Sequence, residues 1–194
     1  GVLVAEFEPF AVQLLQGVSA ALQGTRFDVL AYAGSVSAGE HLGWERRSLS
    51  RLGGTLIDGA ILVTPTTTPT QGAVPIVAID PHAGADGTAS VSVRNVDGAV
   101  AATAHLSSLG HRRIAMVSGL LSASDRAQQR CRGYARGMEQ AGLRAQPVLQ
   151  VPFVAAAPEV LGEALNSQVR PTALVCSNDL LAIRSIRAAH LPPP

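Results

Sequence analysis

The sequence contains no lysine; all 15 of its basic residues are arginine. They are balanced by 14 acidic residues, leaving a formal charge of +1. A chain so nearly neutral carries no electrostatic footprint for nucleic acid in its overall composition. Charged residues are scarce at 15 %, yet no apolar run approaches the ~18 residues needed to span a bilayer, so a membrane class is excluded. Cysteine is nearly absent. Cys131 and Cys176 stand far apart without CxxC spacing, and the reading that fits is reduced thiols acting as small core residues. His41, His82, His105, His111 and His190 show no metal-ligand spacing, and no Ser/His/Asp grouping, GxSxG, GxGxxG or P-loop occurs. No metal, cofactor or catalytic residue is therefore assigned. Residues 1–5 offer neither a basic leader nor a cleavage pattern, so a cytoplasmic location is expected.

What is present is an alternation of short apolar runs with longer helical patterns, the signature of βαβ units and parallel sheets. Strands are expected at 1–5, 27–32, 57–63, 75–79, 90–93, 113–118, 148–151 and 173–176. Pro9 opens the first helix, where its missing N–H costs nothing, and Phe10, Leu14, Leu15, Val18 and Leu22 follow at helical spacing up to Gly24. Leu42, Leu49 and Leu52 mark a second helix, on which Ser48 and Ser50 read as solvated. Further helices are expected at 98–109, from a Ser124-Asp125 cap to Gly142, at 158–165 and from 180 to about 190. Residues 64–71 form a Thr/Pro loop. The fold class is α/β, two Rossmann-like lobes with parallel sheets flanked by helices: 1–93 and 94–194, the second of them incomplete.

Four blocks carry a resemblance. The strand 57–63, IDGAILV, resembles a "DG-(I/L)-I-L" strand; 101–119, AATAHLSSLGHRRIAMVSG, is the most specific block. Residues 130–143, RCRGYARGMEQAGL, are similar to an "ER-x-x-GY-x-x-AL-x-x-AGL" helix, and 171–183, PTALVCSNDLLAI, to "PTA-x-x-x-x-ND-x-x-A". In this order they resemble the effector-binding core of LacI/GalR-family regulators, a periplasmic-binding-protein-like fold. Against the family pattern, the helix-turn-helix headpiece and hinge are absent, the chain stops at the Pro run 192–194, and the connections 151–158 and 84–90 are short.

In such folds ligands bind outside the carboxyl ends of the strands, and two lobes would present those ends to one cleft. Each strand end therefore supplies a candidate. The resemblance implies a stacking aromatic at Phe10, with Phe7 beside it and Glu8 replacing the usual Asn; Phe10 reads equally well as a core residue. It implies a hydroxyl-binding Asp80, although Pro81 replaces the Arg that usually follows. Arg94, Asn95 and Asp97 precede a helix; Asp97 is first an N-cap and secondly a ligand contact. Arg130 matches the family's cleft-facing arginine, whose five donors suit paired hydroxyls, a carboxylate or a phosphate. Arg126, Arg132 and Arg136 read as solvated. Phe153 stands where a second aromatic stacks. Asn178 can donate and accept at once, as sugar hydroxyls require, while Asp179 reads as the next helix's N-cap.

The resemblance implies a ligand-sensing domain that is not an enzyme. It would take a small polar effector, sugar or nucleoside-like, act as a homodimer, and couple lobe closure to operator affinity. Operator DNA would be reached only through the headpiece, and this chain alone is expected not to bind DNA. The alternative is a periplasmic sugar-binding protein of the same fold. A doubly wound enzyme is disfavoured by the missing nucleotide-binding and nucleophile motifs.

Overall fold

The computed structural model describes residues 1–34, 43–68, 72, 74–82, 87–121, 125–151 and 158–190, with only the backbone at 158–160. The chain divides into two compact units, Gly1–Val93 and Arg94–Pro194.

The first unit runs β1 (Val2–Val4), α1 (Pro9–Ala21), β2 (Ala31–Ala33), α2 (Trp44–Leu52), β3 (Ala60–Val63), β4 (Ile76–Ile79) and β5 (Ala89–Val91). Its strands are all parallel, in the order β2-β1-β3-β4-β5. The two-residue period of a strand sends alternate side chains to opposite faces. Val2, Val4 and Val63 accordingly pack with Ala11, Leu14 and Leu15 of α1. Leu3, Ala60 and Leu62 pack with Trp44 and Leu52 of α2. Each fully buried aliphatic side chain contributes about 1.5–3 kcal/mol.

The second unit runs α3 (Asn95–Ser108), β6 (Ile114–Ser118), α4 (Asp125–Gln140), β7 (Leu149–Gln150), α5 (Pro158–Asn166), β8 (Ala173–Cys176) and α6 (Asp179–His190). The sheet order is β7-β6-β8, again parallel. Ile114, Met116 and Val175 face Tyr134 and Met138 of α4, while Val117 and Leu174 face Leu161 of α5 and Leu181 of α6. The Tyr134 hydroxyl is satisfied within this core: it donates to the Ile114 carbonyl and accepts from the Gln146 N–H, both at 2.8 Å. Burial pushes its pKa up, against the backbone hydrogen bond from Gln146.

Two sequence expectations fail here. The second strand spans Ala31–Ala33 rather than 27–32. Thr25 Oγ1 donates to the Leu22 carbonyl at 2.7 Å and accepts the Phe27 N–H, so 22–27 is still the turn that ends the helix. Phe27 is exposed, with the Arg26 guanidinium 5.6 Å from its ring centre. Ser48 is buried, not solvated; its Oγ donates to the Trp44 carbonyl at 2.9 Å. A Cβ on Gly34 would lie 2.2 Å from that Oγ, so α2 packs this closely only because residue 34 lacks a side chain. Leu42 and Ser124 lie outside the described residues.

Glu45 was not singled out by the sequence, and it is fully buried on α2. Its carboxyl oxygens accept from the Thr66 hydroxyl, from the Thr67 N–H at 2.6 Å and from the Thr67 hydroxyl. Thr66 Oγ1 also accepts the Gly43 N–H at 2.8 Å. One carboxyl group thus fixes the segment that leaves β3. Glu45→Ala is expected to lower the unfolding free energy by roughly 2–4 kcal/mol, because each buried donor left unpaired costs about 1–3 kcal/mol. Glu45→Gln, which keeps an acceptor, should cost less than half of that. Urea unfolding of the two variants measures both, and equal losses would show that packing volume, not the acceptor, matters at this position.

Candidate functional site

Both sheets place their first strand between the second and the third, so successive crossovers leave in opposite directions. Such a point opens a crevice outside the carboxyl ends of the strands. In the first unit it lies between β1 and β3. A depression of about 140 Å³ is found there, lined by Ala5, Glu6 and Glu8 beyond β1 and by Val63 and Thr64 at the end of β3. Two backbone outliers mark the same edge. Thr64 and Asp80, just past β3 and β4, have φ of 50° and 46°. A β-branched residue at positive φ is strained by about 1–3 kcal/mol, and strain of this kind gathers at ligand-contacting edges.

In the second unit the corresponding point lies between β6 and β8. Ser118 ends β6 and Ser177 follows β8; both are buried. Arg130 of α4 reaches this edge. Its Nε donates to Asn95 Oδ1 at 2.7 Å, and its Nη1 donates to the Ser177 carbonyl. Among the described residues, Nη2 has no protein acceptor, so the guanidinium is held at one side and still offers donors at the other.

Two glycines make this reach possible. A Cβ on Gly133 would come within 2.3 Å of the Val96 carbonyl oxygen and 2.7 Å of the Ala99 Cβ; one on Gly137 would come within 2.7 Å of the Thr103 Cβ. The pair lies four residues apart on one face of α4, and the backbone of α3 rests against it. Arg130 is one turn earlier on α4, and Asn95 is the first residue of α3. The near contact of the helices therefore sets the distance between the two side chains. The place is electrostatically awkward for a cation, since the N-termini of α3 and α6 both end there and carry partial positive charge. Explicit acceptors, Asn95 Oδ1 and the Ser177 carbonyl, hold it.

Known proteins share this fold. A family model described as a periplasmic binding protein-like domain matches residues 103–191. A LacI transcriptional regulator from a Rhodococcus species superposes with a TM-score of 0.78 at 26 % identity, covering 96 % of this chain and 70 % of its own. The chain has a periplasmic-binding-protein-like fold and is similar to LacI-type regulators. The HTH-type transcriptional repressor PurR of Haemophilus influenzae is 33 % identical to it over 120 residues, 59 % of this chain and 34 % of that protein. The chain therefore spans about a third of the length of the curated relatives it matches. A periplasmic binding protein/LacI transcriptional regulator from Alkaliphilus metalliredigens, solved with D-xylulofuranose, shares the fold with a TM-score of 0.75 at 18 % identity, covering 96 % of this chain and 70 % of its own.

Within this fold the sequence-derived candidates separate. Arg130 lies at the carboxyl edge of its sheet. Asn178 lies there too, but its Oδ1 accepts the Leu181 N–H at 2.9 Å. It is thus the N-cap of α6, and Asp179, expected in that role, sits inside the first turn. The cap preference of Asn and Asp is nearly equal, and sequence alone does not order two adjacent candidates. Asp97 is likewise not a cap. α3 starts at Asn95, three residues earlier than expected, because Gly98 is tolerated inside it. Asp97 is exposed and stands 3.7 Å from Arg94. Asp80 is buried, and its Oδ1 accepts the Val93 N–H at 3.1 Å. Phe10, in the first turn of α1, packs against the core, and Phe7 before that helix is about half exposed. Phe153 lies outside the described residues. Of the arginines expected to be solvated, Arg126 instead buries its Nε, Arg132 stands 3.5 Å from Asp125, and Arg136 is exposed. Sequence reasoning passed over Glu6, Thr64 and Ser177, which carry no motif; only their place after a strand marks them.

Two expectations follow. Gly133→Ala should cost about 1–3 kcal/mol, since its methyl group meets backbone rather than a yielding side chain; thermal unfolding compared with Ala135→Gly on the exposed face measures it. Burial raises the pKa of both thiols, against the smaller opposing effect of the neighbouring Ser118 hydroxyl on Cys131 and of the Ser185 hydroxyl, 3.7 Å from the sulfur, on Cys176. Iodoacetamide at pH 7.5 should therefore modify the folded protein far more slowly than the urea-unfolded chain. Equal rates would contradict the burial of both sulfurs.

Proposed function

We propose that this chain is the effector-sensing core of a LacI-type transcriptional regulator, a repressor, whose ligand is a small oxygen-rich molecule such as a sugar or a nucleoside. The observation that carries the reading is Arg130, whose guanidinium is fixed at the carboxyl edge of the second sheet with no acceptor for Nη2 among the described residues. A half-buried cation with open donors is a recognition group for hydroxyl, carbonyl or carboxyl oxygens. The strained edge and the depression beside Glu6 and Glu8 in the first unit supply a second set of groups. The sugar bound by the Alkaliphilus neighbour and the regulatory names of the relatives support the same class.

In this reading the two units are the lobes of one sensor, and the effector favours their closed arrangement in proportion to its differential affinity. A homodimer passes that change to helix-turn-helix headpieces outside this sequence, which contact operator DNA. A periplasmic sugar-binding role for the same fold is less well supported, since the curated relatives are HTH-type regulators.

A thermal-shift screen against pentoses, hexoses, nucleobases and nucleosides tests the proposal. A true effector at a hundredfold its Kd should raise the unfolding free energy by about 2.7 kcal/mol and the midpoint by roughly 5–10 °C. Arg130→Ala should abolish most of that shift. An undiminished shift in Arg130→Ala would falsify the site, and a silent panel would count against the sugar or nucleoside class.

A further inference from the structure

We infer that Asn95 is the positioning residue for Arg130: its side-chain oxygen fixes the guanidinium at the carboxyl edge of the second sheet and ties it to the segment through which the chain enters that unit. The inference rests on the reading of Arg130 as the effector contact for its functional meaning, but its physical content stands on the geometry alone. Asn95 is buried, its Oδ1 lies 2.7 Å from Arg130 Nε, and it opens α3 two residues after Val93. Val93 is itself held, through its N–H, by Asp80 Oδ1. Arg94, between them, keeps an exposed side chain and a backbone at φ −75°, ψ 70°, outside the helical basin.

The arrangement answers a definite physical need. An arginine side chain has four rotatable bonds, and fixing it for a ligand loses more entropy than fixing a shorter one. Here the loss is met on folding, before any ligand arrives. Two acceptors at right positions do this, one on Nε and one on Nη1. Because Nε is engaged, the edge it shares with Nη2 is closed to a side-on carboxylate, and a ligand meets the Nη groups only. A neutral acceptor is also the right kind of partner. An Asp at this position would form an ion pair and quench the charge that a ligand uses; Asn directs the group and leaves its charge in place. Since Asn95 begins α3, a ligand that pulls on Arg130 also pulls on the first turn of that helix and on the entering chain.

The test needs no effector. The full chain is labelled with ¹⁵N, and hydrogen exchange of the arginine Nε–H groups is followed; the Arg130 resonance is the one missing from Arg130→Lys. It should exchange at least about tenfold more slowly than that of exposed Arg94, as a hydrogen bond to a charged group implies. In Asn95→Ala it should exchange within about twofold of Arg94, and in Asn95→Asp, which keeps the oxygen, the protection should return. A purely structural role for Asn95 would not move this resonance selectively. Protection that persists in Asn95→Ala, or fails to return in Asn95→Asp, overturns the inference. Should Asn95→Ala not fold, an Arg130 Nε–H that exchanges in the unsubstituted protein as fast as that of Arg94 overturns it without any substitution at residue 95. Each of these outcomes is independent of whether a sugar or nucleoside binds, so failure here and failure of the sensor reading are told apart.

Discussion

A guanidinium drawn partly out of water must find acceptors for its N–H groups or stay outside, and much of the second unit is arranged around meeting that condition for Arg130. The acceptors are Asn95 Oδ1 and the Ser177 carbonyl, contributed by the start of α3 and the end of β8. They reach Arg130 because α3 and α4 touch backbone to backbone, and that contact exists because Gly133 and Gly137 carry no side chain where Val96, Ala99 and Thr103 press in. The sequence RCRGYARG therefore carries three things in one helix: the donor, the close approach that places it, and Tyr134, whose hydroxyl ties the helix to β6 through the Ile114 carbonyl.

The first unit solves its edge differently. Its fixed points are a buried carboxyl on α2 and two positive-φ residues after β3 and β4. Glu45 collects donors from Thr66 and Thr67, and so determines the path on which Thr64 leaves the sheet. Asp80 turns inward to the Val93 N–H rather than outward. The consequence is a surface shaped by backbone and small polar groups, with Glu6 and Glu8 at its rim. An edge of this kind holds its backbone and polar groups in fixed positions.

The parts of this structure that follow a repeating period were legible in the sequence. Strand alternation at Val2, Leu3 and Val4, or at Ile114 through Val117, names both faces of each sheet, and the burial of these residues follows it. Arg130 was singled out because its helix carries a recognisable pattern, and the fold puts it at the carboxyl edge of its sheet. What was not legible depends on choices among near-equal neighbours or on partners distant in sequence. Asn178 and Asp179 compete for one cap, and a difference of a few tenths of a kcal/mol decides it. Phe27 has the composition of a strand, but the Thr25 hydroxyl holds it in a turn. Glu45 looks like any solvated helix glutamate until Thr66 and Thr67, about 21 residues later, are seen to close over it.

Asn95 shows the same limit from the functional side. In the sequence it is one of three polar residues ahead of a helix, and capping logic favours Asp97. The fold reverses that order, because helix α3 begins early and leaves Asp97 on the outside, paired loosely with Arg94. A residue at the first helical position has its backbone N–H unpaired by the helix in any case, so its side chain is free to serve something other than its own helix. Asn95 uses that freedom to hold Arg130. The role was invisible locally because it belongs to a pair 35 residues apart, and only the glycine contact of α3 with α4 brings the two members within hydrogen-bonding distance.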